Sequence, residues 1–436
     1  MRLIIAFFLG FFGLITFCRQ GVEQVWAVGL PISRDTISIM SLGTMDSGML
    51  LIKDTIDLKN KTCRIPAGVT LRLRGGYLKN GTLVGDMTKI RSCRPCFNRV
   101  RIQGTWNVPV IKTSLFDDLS YDNALKDVLA LSHPSIKNKI VIEKGFYQVS
   151  ALGNNDVCLS INSNTELILD GTIQMTPNAY KCYNIVQIEG NNIKIRGKGM
   201  VVGDKHTHTG KSGEWGMGVN IKNAHDVTIK AITIKDCWGD CIYVGDGSSN
   251  ITIEKCKLNH GRRQGMSITS ANGVLIKNCE ISNVSGTLPE FAIDVEPNEN
   301  ESVDNVVVNN VVVTNCKGGV MAARWAKNTR IGTVVVQNCT ISSETHEALR
   351  FVCCEKVEVK NNQIKRMKNK PVMECNNVKK ISVVGNVFSY GISTLNEVKT
   401  LFKHFVLGEP NGVVKIVSCE NVNAQNNTES KVKNDK

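Results

Sequence analysis

Residues 251–256 read ITIEKC, residues 274–279 read VLIKNC and residues 334–339 read VVVQNC. Each phrase is a short alternating run of aliphatic residues that ends in a polar or cysteine turn, and a second short apolar run accompanies it. These second runs are Ile242–Val244, Met266–Ile268, Ile293–Val295, Val320–Ala322 and Leu349–Phe351. A repeat of roughly 20–25 residues with two or three strands per unit is typical of a stacked solenoid.

The repeat predicts an all-β fold, a single-stranded right-handed parallel β-helix, whose coils bury aliphatic stacks and use Asn at their turns. Less regular phrases extend it back to about Val69. Residues 122–131 have apolar residues at helical spacing after an Asp/Asn start, which predicts a short N-terminal capping helix. We divide the chain into a signal peptide (1–27), an N-terminal β-rich region (28–120), the parallel β-helix catalytic domain (121–420) and a polar, frayed tail (421–436).

Sixteen cysteines would suggest disulfides in an exported protein. Their recurrence at turn positions favours another interpretation, one buried and reduced position in successive coils, where cysteine acts as a small apolar residue. The residues assigned to that position are Cys237, Cys256, Cys279, Cys316 and Cys339. The Cys93-x-x-Cys96 motif has no second pair at zinc spacing, so we expect no metal there.

Charge and the N-terminus together limit the partners. The formal net charge of +14 favours an anionic partner, such as nucleic acid, a membrane surface or an acidic polysaccharide. The apolar run of residues 3–17 has the length of a signal-peptide core, too short to span a bilayer comfortably. Cleavage after Ala27 or lipidation at Cys18 would follow, and either predicts an exported protein of the periplasm, cell surface or medium. Export excludes nucleic acid, leaves a lipid anchor as the only membrane contact, and we expect a monomer.

The alternation within each strand predicts that polar and charged side chains gather on one outward face. If Ile242, Met266 and Ile293 point inward, one outward row reads Asn220, Tyr243, Ser267, Asp294, Met321 and Arg350, and the next row reads Gly245, Thr269, Glu296 and Ala323. Successive coils lie about 4.8 Å apart, so these residues become neighbours. Asp240 and Arg263 directly precede the strands at the same edge. Two insertions, residues 203–213 and 285–304, flank this face and predict the walls of a groove.

The sequence then resembles the pectate-lyase-like superfamily of exported bacterial β-helix proteins, and the similarity of residues 203–298 extends to its chondroitin/hyaluronan-lyase type. The motifs that carry the resemblance are Gly203–Thr209, Gly213–Gly216, Cys237–Asp240, Arg262–Ser267 and Ile293–Asn298. The resemblance implies a polysaccharide substrate. One scaffold hosts several chemistries, so the reaction has to be argued from the groove.

We predict a polysaccharide lyase that cleaves a uronate-containing acidic polysaccharide by β-elimination, with a glycosaminoglycan such as hyaluronan or chondroitin sulfate favoured. This reaction needs a cation to neutralise the uronate carboxylate and a base to remove the α-proton. The predicted catalytic residues are His208 as first choice for the base, Tyr243, Arg263, Asp240, Asp294 and Glu296. The predicted substrate-binding residues are His206, Glu214, Trp215, Asn220, Trp238, His260, Arg262, Arg324 and Arg350.

Two alternatives stay open. Asp240 and Asp294 lie two coils apart, about 10 Å by stacking, which suits an inverting glycoside hydrolase of an acidic glycan. The polygalacturonase pattern, however, has adjacent aspartates and a histidine where this chain has Gly239-Asp240 and Gln264. A non-catalytic carbohydrate-binding β-helix is the other alternative. No metal site is predicted with certainty, although Asp240, Asp294 and Glu296 could hold Ca²⁺ through oxygen ligands.

Overall fold

The computed structural model describes residues 36–92, 95–366, 370–391 and 414–432. The signal peptide, Cys18, Ala27 and Cys93 lie outside these residues, so signal cleavage, lipidation and the interpretation of the Cys93–Cys96 motif stay predictions. Within the described residues, no helix has the length and apolar character required to cross a bilayer.

The chain winds as a right-handed parallel β-helix of three faces, as the repeat predicts, because each coil contributes one short strand to each face. Face 1 consists of Asp156–Ile161, the first halves of Cys182–Gly197 and Trp215–Lys230, and then Ile242–Gly245, Met266–Ile268, Phe291–Val295, Gly318–Ala323, Leu349–Val352, Met373–Asn376 and Val414–Val417.

Face 2 follows face 1 in every coil, and face 3 closes the coil. Face 2 consists of Val110–Lys112, Asn138–Ile142, Thr165–Leu169, the second halves of the two long strands, Ser248–Glu254, Ala271–Lys277, Ser302–Asn309, Arg330–Ile331, Thr333–Gln337, Lys356–Lys360, Lys380–Val384 and Val422–Gln425. Face 3 consists of Phe146–Val149, Thr172–Met175, Met200–Val202, Thr233–Lys235, Lys257–Asn259, Glu280–Ser282, Val312–Cys316, Thr340–Ser343, Gln363–Arg366, Val387–Gly391 and Thr428–Val432.

An N-terminal sheet precedes the three-faced coils, and its pairings are parallel apart from the hairpin of Thr44–Asp46 with Met49–Ile52. The α-helix Ala124–Leu129 packs between this sheet and the solenoid, as expected for a capping helix. Its buried Asp127 accepts hydrogen bonds from the backbone of Ile102 and from Tyr121. The other elements of this region are Thr36–Ile37, Thr55–Asp57, Thr62–Arg64, Thr70–Leu73, Tyr77–Arg91, Phe97–Trp106, Phe116–Asp118 and the 3-10 turns Ile39–Leu42 and Thr113–Leu115.

The polar C-terminal segment differs from the frayed tail that its composition predicts. Val422–Gln425 pairs with Lys380–Val384, and Thr428–Val432 pairs with Val387–Gly391, so residues 422–432 belong to a further coil. Asn427 shows how a polar residue stabilises the turn of this coil. Its side chain accepts a hydrogen bond from the Asn386 backbone and donates to the Val383 carbonyl, which satisfies groups at the turn that an aliphatic residue would leave unpaired.

The cysteines are buried as predicted, but they occupy two corners and not one. Cys256, Cys279 and Cys339 follow face 2, each preceded by a residue with positive φ. Cys237 and Cys316 lie at the end of face 3. The sequence interpretation merged the corners because both turns have the same local shape, a left-handed residue followed by an inward-pointing small one.

We expect the five buried corner cysteines to be free thiols that react slowly while the protein is folded. Burial raises the pKa of Cys316 to about 12 and the pKa of Cys339 to about 11, and alkylating reagents need the thiolate. Mass mapping after alkylation, with and without denaturant and without reductant, measures this. A disulfide between Cys256 and Cys279 would contradict the buried, reduced corner.

Candidate active-site cleft

The predicted outward row on face 1 is confirmed by strand register. Asn220 lies beside Tyr243, Tyr243 beside Ser267, and Ser267 beside Asp294 in successive coils. The inward neighbours Ile242, Met266 and Ile293 are completely buried in the core. The alternation of each strand therefore sets which side chains reach the outer surface of face 1.

A cleft of about 270 Å³ lies over this row. Six of the predicted site residues line it, and Ser267 and Thr269 of the predicted outward rows line it as well. The lining residues are Cys182, Asn184, Trp215, Met217, Asn220, Tyr243, Arg263, Ser267, Thr269, Asp294, Glu296 and Asn298. Trp215 is half exposed at the rim, which suits an aromatic surface for stacking a sugar ring.

Asp294 is the most unusual group of the cleft, since its carboxyl group is almost fully buried. Oδ2 accepts a hydrogen bond from Nε2 of Gln264 at 2.7 Å, and no donor in the described part of the chain reaches Oδ1. Burial raises the pKa of Asp294 well above its usual range, and the adjacent carboxylate of Glu296 raises it further against the opposing effect of Arg263. Asp294 therefore keeps its proton to a higher pH than an ordinary aspartate does.

Asp240 lies beneath the cleft in an ion pair with Arg263. Its Oδ2 accepts hydrogen bonds from Ser267 Oγ at 2.7 Å and from Arg263 Nη1 at 3.2 Å. Asp240 is completely buried, whereas the Arg263 side chain keeps 18% of its surface exposed to the cleft. Burial raises the pKa of Asp240, and Arg263 and Ser267 oppose that rise. Asp240 thus holds Arg263 in place and is not itself among the lining residues.

Tyr243 reaches the cleft with its hydroxyl group in hydrogen-bonding contact with Thr269 Oγ1 at 2.8 Å and close to Asn298. Burial raises the pKa of Tyr243, which makes its phenolate harder to form. Asn220 also lines the cleft, and its buried Oδ1 accepts no hydrogen bond from the described residues. It is therefore available to a hydroxyl group of a ligand.

His208 is not brought to the cleft, contrary to its predicted role as base. Its imidazole is completely buried, with Nδ1 2.8 Å from Oδ2 of Asp204 and the ring stacked on Trp238 at 3.8 Å between centroids. Asp204 also accepts a short hydrogen bond from the Tyr183 hydroxyl. These contacts anchor the loop of residues 203–213, a tertiary packing that strand periodicity does not reveal.

Several other residues that were predicted to bind substrate contact other parts of the protein instead. Trp238 is 9% exposed, and the Arg262 guanidinium lies 3.8 Å from its ring while donating to the Gly213 carbonyl at 2.8 Å. Glu214 is half exposed and lies 3.7 Å from Arg263 Nε. These residues support the cleft and do not line it.

The remaining predicted contacts lie at other places. Arg324 donates to the Thr329 carbonyl, and Arg350 lies 3.9 Å from Glu374 and near the exposed ring of Trp325. His206 and His260 lie at the corner after face 3, where both approach Asp236, a residue that the sequence analysis did not identify. The recurrence of a polar residue at that corner would have been the signal for it.

Comparison with known proteins agrees with the architecture. The family described as Right handed beta helix region matches residues 171–333 and 217–428, and the chain belongs to that family. It is 32% identical over 162 residues to the SPbeta prophage-derived protein YorA of Bacillus subtilis, across 32% of this chain and 28% of that protein. The matched regions span 28% and 34% of the first two curated relatives, YorA and YclG.

Two further similarities cover more of the chain. It is 24% identical over 374 residues to a polygalacturonase of Gossypium barbadense, across 76% of this chain and 84% of that enzyme. The A-module of the mannuronan C-5 epimerase AlgE6 from Azotobacter vinelandii superposes with a TM-score of 0.53 at 15% identity, covering 72% of this chain and 96% of the module. At that identity the structural similarity concerns the fold.

Substitution of Arg263 tests whether it compensates the buried charge of Asp240. Arg263→Ala should lower the free energy of unfolding by about 3–5 kcal/mol, because it leaves a buried carboxylate without its partner. Chemical denaturation measures this. Arg330→Ala is the matched control: its pairs with Asp304 and Glu355 lie at the surface, so about 1 kcal/mol or less should be lost. Equal losses in the two variants would contradict the compensating role.

Proposed function

We propose that this β-helix protein is an enzyme that cleaves an acidic polysaccharide by hydrolysis, with Asp294 as the general acid. The observation that carries the proposal is the buried carboxyl group of Asp294 in the cleft wall, where burial and the neighbouring Glu296 raise its pKa. Glycoside cleavage requires a proton for the leaving oxygen, and a carboxylic acid with a raised pKa can supply it near neutral pH.

Glu296 is the other carboxylate of the cleft lining, and we assign it the role of the ionised partner. Its negative charge helps to keep the proton on Asp294, the usual result when two carboxyl groups share a site. Glycosidase carboxyl pairs stand about 5–5.5 Å apart in retaining enzymes and about 6.5–9.5 Å apart in inverting ones. Hydrolysis therefore requires the bound sugar to lie between Asp294 and Glu296 at one of these separations.

The acidic nature of the substrate is inferred from charge. The chain carries a formal charge of +14, and Arg263 presents the remaining exposed part of its guanidinium to the cleft. A uronate or sulfate group could contact this cation, while Trp215 stacks a neighbouring ring. The polygalacturonase to which the chain is similar is named for an acidic glycan, which is consistent with this choice. Export of the chain remains part of the proposal.

β-Elimination is the second candidate, favoured by the position of Tyr243 in the cleft, on the same outward row as Asp294 and two coils away from it. The protonated Asp294 could neutralise a uronate carboxylate through a shared proton, and Tyr243 could remove the α-proton. We rank this reaction second because burial raises the pKa of Tyr243, and because His208, His206 and His260 lie outside the cleft lining.

One assay separates these possibilities. The protein is incubated with hyaluronan, chondroitin sulfate, alginate and pectate while new reducing ends and the ultraviolet absorbance of unsaturated uronate are recorded. Hydrolysis predicts reducing ends without that absorbance. Both signals together would establish the lyase instead, and neither signal, with retained binding of a polymer, would favour the carbohydrate-binding protein.

Asp294→Asn tests the acid itself. It keeps the size of the side chain but cannot donate the proton, so turnover should fall by about 100-fold or more while the Michaelis constant changes little. Asp226→Asn, at an exposed corner outside the cleft, is the matched control and should retain activity. If Asp294→Asn keeps full turnover, Asp294 is not the general acid.

The pH dependence provides an independent test. Because the pKa of Asp294 is raised, activity should be lost as pH increases through that value. Glu296→Gln removes the like charge and should lower the pKa of Asp294, which carbon-13 NMR of labelled aspartate measures directly even if this variant is inactive. An unchanged or higher pKa in Glu296→Gln would contradict the coupled pair.

A further inference from the structure

The corner after face 3 carries a second group of polar side chains, separate from the cleft lining. Asp236 and His260 occupy equivalent positions in consecutive coils, both with positive φ, and the Asp236 N–H donates to the Asn259 carbonyl. One coil earlier, the same corner is Gly203, where the loop of residues 203–213 begins. Stacking brings the loop residue His206 over the two corner residues.

The three side chains converge on one point. His206 Nε2 lies 3.2 Å and His260 Nδ1 lies 3.3 Å from the same oxygen, Oδ1 of Asp236. The three potential donor atoms all lie within 4.8 Å of one another. Zinc bonds of about 2.0–2.1 Å in a tetrahedron place neighbouring ligand atoms about 3.3–3.4 Å apart, so the two N–O separations already match those of a coordination site.

We propose that His206, Asp236 and His260 form a binding site for a divalent transition-metal ion, with Zn²⁺ as the ion best suited to two imidazoles and one carboxylate. Both imidazole rings would shift slightly so that their nitrogen atoms reach the ion. The His206 ring has room for this shift because 63% of its side chain is exposed. Water fills the remaining position, as in other sites with three protein ligands. The proposal does not depend on the function of the cleft.

The surroundings orient the carboxylate of the site. Lys235 Nζ lies 3.2 Å from Oδ2 of Asp236, the oxygen that faces away from the imidazoles, and so fixes the orientation of the carboxylate. The lysine charge weakens the attraction for a dication but does not occupy the ligand atoms.

A bound ion would tie the loop to two coils at once. His206 belongs to the loop, and His260 lies two residues before Arg262, which donates to the Gly213 carbonyl at the other end of the loop. The ion and Arg262 would therefore hold both ends of the 203–213 segment against the solenoid. In the absence of an ion, the hydrogen bond between His206 and Asp236 and the contact of His260 with the same oxygen provide a weaker version of this connection.

The test is a titration of the chelator-treated full protein with Zn²⁺ against a chromogenic chelator of known affinity. We expect one equivalent to bind and the thermal unfolding midpoint to rise. His206→Ala and His260→Ala should each weaken binding by about 100-fold or more, since each removes a direct ligand. Ca²⁺ should not compete, because it prefers sites built of oxygen atoms.

His225→Ala is the matched control, since His225 lies on face 2 in contact with Ser249 and should not affect Zn²⁺ binding. Circular dichroism confirms that each variant is folded. If the unaltered protein binds no Zn²⁺ tightly, the proposal is overturned, and the three residues form only a polar His–Asp–His cluster. Undiminished binding in both His206→Ala and His260→Ala would overturn it as well.

Discussion

The in-register stacking of coils is the constraint on which the rest of the structure depends. Each strand of a face lies about 4.8 Å from the equivalent strand of the next coil, so a side chain has as its nearest neighbours the residues one coil away. Inward positions then form continuous aliphatic rows, such as Ile242, Met266 and Ile293. Outward positions form equally continuous rows, and a polar residue placed there cannot avoid the polar residues above and below it.

The electrostatics of the cleft follow from that enforced proximity. Asp240, Asp294 and Glu296 lie in or beside the strands of face 1, and among the described residues only Arg263 forms an ion pair with one of them. With more carboxyl groups than cations in a buried region, the lowest free energy is reached when one of them keeps its proton. Asp294, the more buried member of the lining pair, is the one whose pKa is raised well above its usual range.

The sequence predicted what periodicity controls and missed what packing of irregular segments controls. Strand alternation identified the row from Asn220 to Asp294 because a strand has a fixed two-residue repeat. It could not place His208, because the loop is held by contacts with Asp204 and Trp238 that have no period. Asp236 was missed for a related reason: its corner role becomes visible only when the third face is aligned.

The residues at equivalent outward positions of face 1 distinguish what the fold requires from what a functional site requires. Beyond Asp294 the outward row continues with Met321, which joins Phe291, Ala323 and Val352 in a small apolar cluster. A strand position that accepts methionine in the next coil has no structural need for a buried aspartic acid, which has low β-propensity and loses its hydration there. The fold tolerates Asp294 at a loss of stability, and such a loss is expected where the buried side chain has a chemical task.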